Sequence, residues 1–152
     1  MRISVAADHN GYELKNEISE ILKRDGHDVI DMGPDYLDPL DDYPDYAKPL
    51  AESVSSGETE RGIMVCGSGV GASVAANKVK GVRAAVCHDI YSAHQGVEHD
   101  DMNVVCLGAR IIGVDLAKDI LTAFIDANFL PEARFQRRLD KVLDVEKNQS
   151  AV

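Results

Sequence analysis

Tryptophan is absent from this sequence, aromatic residues make up only 5% of it, and its three cysteines form no C-x-x-C pair. An odd number of cysteines in this arrangement predicts neither a disulfide framework nor a zinc or other metal site. No apolar run approaches the roughly 18 residues of a membrane span. The N-terminus "MRISVAADHN" also lacks the apolar segment of a signal peptide. We therefore expect a cytoplasmic protein that does not bind membranes.

Positive charge is also scarce, since 26 acidic residues outnumber 16 lysines and arginines and give a formal net charge of -10. Nucleic acids and anionic membranes both require a positive surface, so neither is an expected partner. An acidic protein can still bind a small anion where a few positive side chains converge.

Short apolar runs alternate with helical patterns along the chain. The patterns predict strands at 3–8, 27–33, 62–67, 83–88 and 103–109. Helices are predicted at 11–24, 45–56, from about 70, and at 90–97, 114–128 and 131–147, with a Pro/Asp-rich loop at 34–44. We expect one domain over residues 1–147 and a frayed tail at 148–152.

This alternation is typical of an α/β fold in which helices cover both faces of a parallel sheet. We predict a doubly wound, Rossmann- or flavodoxin-like sheet of five strands in the order 2-1-3-4-5, with an additional C-terminal helix. Ligands of such sheets bind beyond the carboxyl ends of the strands, here where strands 1 and 3 meet. Asp8, His9, Cys66 and Gly67 end those two strands.

The segment "GIMVCGSGVGASVAANKV" (62–79) places glycines at three alternate positions after the third strand. Such a loop can bring backbone N–H groups close to an anion or an oxyanion. One alternative is an ordinary tight turn. Another is a dinucleotide-binding loop, because "GSGVGA" fits G-x-G-x-x-[GA] and Asp89 lies downstream. That fingerprint normally follows the first strand of its unit, which weakens the second alternative.

Cys66 immediately precedes this loop. A thiol before a helix N-terminus gains thiolate character, and a thiolate can remove a proton next to a carbonyl or attack as a nucleophile. The alternative is that Cys66 is a small buried apolar residue. That reading suits Cys87 and Cys106 better, because both lie within predicted strands.

Five segments together carry a resemblance that spans nearly the whole chain. They are "AADHNGYELK", "DYPDYA", "MVCGSGVGASVAANKVKGVRAAVCHD", "EHDDMNVVCLGARIIG" and "RFQRRLD", in that order. They resemble the ribose-5-phosphate isomerase B family, a sugar-phosphate isomerase family that also includes galactose-6-phosphate isomerase subunits.

The resemblance implies roles for residues around the glycine loop. Cys66 matches the base that moves a proton between C1 and C2 of the sugar. The loop matches the segment that holds the enediolate, and its members are Gly67, Ser68, Gly69, Val70 and Gly71. Ser68 stands where the family usually has threonine.

The resemblance also implies a site shared between subunits. His99 matches a histidine that opens the furanose ring from a neighbouring subunit. The other residues matched to substrate-binding positions are Asp8, His9, Tyr43, Arg110, Arg134 and Arg138.

Each of these assignments has a simpler alternative. His99 could be a solvent-exposed histidine, the arginines could cover an exposed helix face, and "DYPDYA" could be only a turn. His27, His88 and His94 are interpreted as structural. Asp100 and Phe135 depart from the family pattern, which usually has asparagine and histidine there, so they bear on which sugar is used.

The expected function is interconversion of ribose 5-phosphate and ribulose 5-phosphate through a cis-enediolate, without a cofactor or metal. The alternatives are isomerisation of allose or galactose 6-phosphate, or a non-catalytic module that binds a sugar phosphate or nucleotide. The expected partners are a sugar phosphate and further copies of the chain in a homodimer or homotetramer.

Overall fold

The structure is a computed structural model that describes residues 1–149. Its strands are β1 (Arg2–Ala7), β2 (Asp28–Asp31), β3 (Arg61–Cys66), β4 (Ala84–Val86) and β5 (Val104–Gly108). Its helices are α1 (Tyr12–Arg24), α2 (Tyr43–Ser55), α3 (Val70–Ala76), α4 (Ile90–Asp100), α5 (Val114–Asp126) and α6 (Ala133–Gln149). Every predicted strand and helix is present, with ends shifted by up to three residues. The expected tail at 148–152 stays a prediction, since α6 runs to Gln149 and residues 150–152 lie outside the described residues.

The five strands form one parallel sheet, as predicted, but in the order β2-β1-β3-β5-β4. The predicted order of the last two strands was therefore wrong. All five residues of β5 are buried, whereas the three residues of β4 are each partly exposed. A fully apolar strand gains more from the centre of a sheet, and a short, partly exposed strand is suited to its edge.

The position of β5 decides which face of the sheet each helix covers. The chain moves outward from β3 to β4 and then back inward to β5. Because crossovers between parallel strands are right-handed, this reversal sends α4 to the opposite face from α3. Helix α4 packs with α5, and α5 with α1, whereas α2 packs with α3 on the other face.

The two faces have separate apolar cores. Ile3, Val5 and Val65 point toward α1, α4 and α5. Met64 and Cys66 point toward α2 and α3. Since successive side chains of a strand alternate between faces, the Cys66 side chain lies on the α2 and α3 side of the sheet.

Helix α2 begins two residues earlier than predicted. Pro44 lies in its first turn, where its missing N–H and fixed φ cost the helix nothing. Tyr43 is therefore the first residue of a helix rather than part of the loop, which fixes its backbone beside α3.

A buried lysine anchors the loop between β2 and α2. Lys15 is 1% exposed, and its ammonium group donates to both carboxylate oxygens of Asp31 at 2.9 Å and to the carbonyl oxygen of Pro34 at 3.1 Å. A buried charge requires such pairing. The result is that the start of the loop is tied to α1.

Within residues 1–149, none of the helices combines the length and the apolar character needed to span a bilayer. The same residues contain no cluster of three or more His, Cys, Asp or Glu side chains that could hold a metal ion.

The close approach of the β1–α1 turn to β3 predicts a stability effect. A Cβ on Gly11 would overlap the carbonyl oxygen of Val65 and lie 2.8 Å from its Cβ. Gly11→Ala should therefore lower the free energy of unfolding by about 1–3 kcal/mol. Denaturant unfolding monitored by circular dichroism measures this. Gly113→Ala is the control, because nothing lies within 4 Å of a Cβ there. It should cost less than about 1 kcal/mol, and equal losses would contradict the packing argument.

Candidate active site

Three strand ends meet at the carboxyl edge of the sheet. The N–H of Asp8 donates to the carbonyl oxygen of Val65 at 3.2 Å, which joins the ends of β1 and β3. The N–H of Ala109 donates to the carbonyl oxygen of Cys66 at 2.8 Å, and that of Arg110 to Gly67 at 3.1 Å. The predicted crevice between β1 and β3 is therefore present, and the end of β5 borders it.

Cys66 is 4% exposed, and its sulfur accepts a hydrogen bond from the N–H of Gly69 at 3.1 Å. Gly69 reaches this position with φ of 81°, in the left-handed region that other residues rarely adopt. A Cβ there would also lie 3.2 Å from the carbonyl oxygen of Cys106. The loop needs glycine at this position in order to direct an amide at the sulfur.

The other two cysteines are in surroundings that oppose ionisation. Burial raises the pKa of the Cys87 thiol to about 11, and burial also raises the pKa of the Cys106 thiol. Since only a thiolate is a strong base or nucleophile, neither is suited to chemistry near neutral pH. This agrees with the interpretation of both as structural.

The rest of the glycine loop lies against α2. A Cβ on Gly71 would come within 2.8 Å of Cζ of Tyr43, so the tyrosine ring rests directly on this glycine. The hydroxyl of Ser68 accepts from the N–H of Val70 at 3.3 Å, and both residues are exposed. Tyr43 is thus brought to the same side of the crevice as the loop.

Asp8 is 5% exposed and shapes its own turn. One of its carboxylate oxygens accepts from the N–H of Asn10 at 2.9 Å and from that of Gly11 at 3.2 Å. These bonds fix the β1–α1 turn and so place His9 at its tip.

His9 lies in a chain of hydrogen bonds that the sequence did not predict. Its N–H and its Nδ1 both bond Oδ1 of Asp41, at 3.1 and 2.6 Å. Nδ2 of Asn10 lies 2.9 Å from Nε2 of His9, and Oδ1 of Asn10 accepts from Arg110 at 2.7 Å. The hydrogen bond to Asp41 is the main reason why the pKa of His9 is raised. The four residues link the ends of β1 and β5 with the loop before α2.

A second cluster forms around His99. Nε2 of Gln95 lies 2.8 Å from Nδ1 of His99, and the imidazole stacks on the ring of Phe135 with 4.0 Å between centroids. The guanidinium group of Arg134 lies 4.4 Å from the centroid of the same ring and pairs with Glu132 at 3.3 Å. Phe135, which departs from the expected pattern, is 1% exposed. Both His99 and Arg134 pack against its ring.

The two clusters lie at opposite ends of the strands, with His9 at the carboxyl ends and His99 at the amino ends. Asp101, two residues after His99, bonds Arg83 at the amino end of β4 with 2.7 Å between Nη2 and Oδ2. Asn103, beside it, accepts through its carbonyl oxygen from Gly62 near the start of β3. From Gly62 to Cys66 is four residue steps, or roughly 13 Å.

Within one chain, therefore, only part of the predicted site is assembled. The structure gathers Asp8, His9, Tyr43, Cys66, the 67–71 loop and Arg110. It places the remaining predicted residues toward the amino ends of the strands; these are His99, Asp100, Arg134 and Arg138. Asp100 and Arg138 are both exposed.

The dinucleotide-binding alternative is not supported by the position of Asp89. Its carboxylate accepts from the N–H of Ser92 at 2.7 Å and caps α4. Hydrogen bonds from Ser92 also hold the pKa of Asp89 below its usual value. His88, interpreted as structural, accepts through Nε2 from the N–H of Gly108 at 2.9 Å.

Comparisons with known proteins show the family and the fold of the chain. A sequence model of the family "Ribose/Galactose Isomerase" matches residues 3–142. Ribose-5-phosphate isomerase B of Escherichia coli (strain K12) is 40% identical, covering 98% of this chain and 99% of that protein. The structure of Clostridium thermocellum ribose-5-phosphate isomerase B superposes with a TM-score of 0.94 at 46% identity, covering 98% and 99% of the two chains.

A second solved structure carries a ligand. Ribose-5-phosphate isomerase B from Mycoplasma genitalium, with bound ribulose-5-phosphate, superposes with a TM-score of 0.91 at 44% identity over 96% of both chains. The match thus extends over almost the entire length at the level of both sequence and fold. The chain belongs to the ribose/galactose isomerase family of aldose–ketose isomerases.

Proposed function

We propose that this chain, as a single domain over residues 1–147, interconverts ribose 5-phosphate and ribulose 5-phosphate. The observation that carries the proposal is the Cys66 sulfur, held by the Gly69 amide beside the ends of β1 and β5. The family likeness supports the class of reaction, and the M. genitalium neighbour was solved with ribulose-5-phosphate. Three free thiols suit a reducing cytoplasm.

In the proposed reaction Cys66 acts as the base on the open-chain sugar. Its thiolate takes the proton from C2, the C2–H electron pair forms the C1–C2 double bond, and the carbonyl pair moves to O1. The thiol then returns the proton to C1, while the hydroxyl proton of O2 is transferred to O1 and C2 becomes the carbonyl. Oxidation of C2 balances reduction of C1 within one molecule, so the reaction requires no redox cofactor.

The glycine loop has the complementary role of stabilising the enediolate. Backbone N–H groups at fixed positions stabilise negative charge without reorganising during the reaction. The left-handed Gly69 places one such group next to the sulfur. Gly67, Ser68, Val70 and Gly71 are the other members of the loop, in which Gly67 lies beside Asn10 and Gly71 beside the ring of Tyr43.

The division of the site into two halves requires a second copy of the chain. His99, Arg134 and Arg138 are proposed to complete the Cys66 site of a partner in a homodimer, or within a homotetramer. Apolar side chains around the Cys66 half are available for contact: Val70, Val74, Tyr91 and Ile111 are each more than half exposed. Exposed apolar groups of this kind, rimmed by polar residues, are typical of protein interfaces.

In the assembled site, cations from both halves would surround the phosphate. His9 and Arg110 come from one copy, and Arg134 and Arg138 from the other. Arg134 and Arg138 are four residues apart on α6 and therefore share a face. This local convergence of positive side chains would allow a chain of net charge -10 to bind a dianion.

The rival proposal within the same chemistry is a six-carbon aldose phosphate. The family description covers both ribose and galactose isomerases. Asp100, exposed beside His99, can only accept hydrogen bonds when ionised and would suit an additional sugar hydroxyl. Comparing kcat/KM on ribose 5-phosphate with that on allose and galactose 6-phosphates decides between the two.

Replacing the proposed base should abolish most turnover. Cys66→Ala is expected to lower kcat on ribose 5-phosphate by about 10²–10⁴-fold with little change in KM, since a positioned base contributes in this range. Solvent deuterium incorporation at C2 should fall in parallel. Cys87→Ala is the matched control, because it also removes a buried thiol but should retain activity. Wild-type turnover by Cys66→Ala would assign the base to another group.

Mixing two inactive variants tests the shared site. Cys66→Ala and His99→Asn chains, once exchanged, should regain about a quarter of the wild-type sites, because half of randomly assorted dimers are mixed and hold one intact pair. The control mixture is Cys66→Ala with the double variant Cys66→Ala, His99→Asn, which can form no intact pair. Equal activity of the two mixtures after proven exchange would exclude sharing.

Two glycines in the left-handed backbone conformation allow an effect on stability to be distinguished from an effect on catalysis. Gly69 and Gly57 have φ of 81° and 77°, so Ala at either should cost about 1–2 kcal/mol of stability from backbone strain, and more at Gly69, where a Cβ would crowd the Cys106 carbonyl oxygen. Only Gly69→Ala should also lower kcat, because it moves the amide that bonds Cys66. Thermal unfolding and turnover of both variants provide the measurement. Equal kcat values in the two variants would show that this amide does not contribute to catalysis.

A further inference from the structure

We propose that Asp41 is a positioning residue for His9, and that an oxyanion binding between His9 and Arg110 is accompanied by uptake of one proton on His9. The location of the oxyanion rests on the proposed function, in which this is the sugar phosphate. Neither Asp41 nor Asn10, the residue between the two cations, was singled out by the sequence.

Asp41 holds His9 at two points. Its Oδ1 accepts from the backbone N–H of His9 at 3.1 Å and bonds the ring at Nδ1 at 2.6 Å. The Asp41 side chain is only 5% exposed, so the carboxylate is shielded from water behind the imidazole. Because one oxygen bonds both the main chain and the ring, the rotation of the imidazole is fixed and Nε2 is directed away from Asp41.

Asn10 determines the tautomer of the neutral His9 imidazole in this arrangement. Its Oδ1 accepts from Nη2 of Arg110 at 2.7 Å, so its NH2 group faces Nε2 of His9 at 2.9 Å. An amide NH2 group can only donate, and Nε2 must therefore accept. The proton of the neutral imidazole is then on Nδ1, where it is donated to Asp41. Asn10 thus separates the imidazole from the guanidinium with a neutral group that satisfies both.

An oxyanion cannot simply take the place of Asn10. When it is fully ionised, it accepts hydrogen bonds from Arg110 as Asn10 does, but it has no donor for the lone pair on Nε2. Contact with His9 becomes favourable once Nε2 carries a proton, and Asp41 stabilises the resulting imidazolium from the other side. This is the physical reason for coupling anion binding to proton uptake.

The charged groups facing His9 are Asp41, Asp8 and Arg110. The pKa of His9 is raised chiefly by the hydrogen bond to Asp41 and further by the charge of Asp8, whereas burial and Arg110 lower it. The charged imidazole is therefore favoured below the folded-state pKa and lost as the pH rises through it. Above that pKa, Asp41 contributes only repulsion, so affinity for an oxyanion should fall as the pH rises.

Sulfate is the probe for the test, because it is an oxyanion that carries no proton near neutral pH, and the matched variants are Asp41→Asn and Asp42→Asn. Both remove one negative charge, but Asp42 is exposed and makes no side-chain cap bond at the start of α2. NMR titration of the His9 imidazole, with and without sulfate, reports its pKa. Calorimetry in two buffers of different ionisation enthalpy counts the protons taken up.

The wild-type protein should take up protons on binding sulfate, and sulfate should raise the pKa of His9. Asp41→Asn should lower that pKa and weaken sulfate binding about 10-fold below neutral pH, the usual loss for one charge-assisted contact. Asp42→Asn should match the wild type in both. Equal behaviour of the two variants would overturn the role of Asp41, and binding without proton uptake, or no binding, would overturn the coupling.

A second variant, Asn10→Ala, should change the pKa of His9 in the opposite direction, and it keeps the test valid if Asp41→Asn does not fold. Asn10→Ala removes the donor that favours neutral His9, so the pKa of His9 should rise. A lower or unchanged value would contradict the arrangement. Because these titrations are read in the unliganded protein, they are independent of turnover. A protein that binds sulfate with proton uptake but fails to isomerise ribose 5-phosphate would refute the proposed function alone.

Discussion

The parallel pairing of β1 with β3 is the interaction on which the Cys66 half of the site depends. Ala7 is paired with Val65, so the next residues, Asp8 and Cys66, end their strands side by side. The turn after β1 then passes so close to β3 that only glycine fits at position 11. Because α1 and α3 leave these strands toward opposite faces, the chain opens a crevice here without breaking any strand hydrogen bond.

The insertion of β5 between β3 and β4 has two consequences for the chemistry. It brings Arg110 beside Gly67, where an edge position for β5 would leave it one strand farther away. It also places α4, the helix that carries His99, on the face opposite α3 and therefore opposite the Cys66 side chain. A single topological feature therefore supplies a cation to the Cys66 half and puts the helix of His99 on the other face.

Local patterns account for what the sequence could predict. The apolar runs, the glycine loop and the cysteine before it are features of neighbouring residues, and they led to the strands, the helices and the crevice. The order of β4 and β5 was predicted wrongly, because both are short apolar runs and only the packed sheet separates edge from centre. Asp41 was missed because its contact with His9 joins a loop to a turn 32 residues away. Nothing in the spacing of an acidic loop signals such a contact.

The internal pairing of the cations has a further consequence for selectivity. Arg110 is bonded to Asn10 and Arg134 to Glu132, so both of these proposed phosphate ligands already have a partner within their own half. An anion must replace these contacts. The Arg134–Glu132 pair is exposed, and such pairs contribute only about 0–1 kcal/mol. A ligand that engages one half alone recovers little beyond this cost. In the proposed assembly, a sugar phosphate that reaches both halves would replace these contacts and add those of the glycine loop, so such a divided site would favour a complete substrate over a free anion.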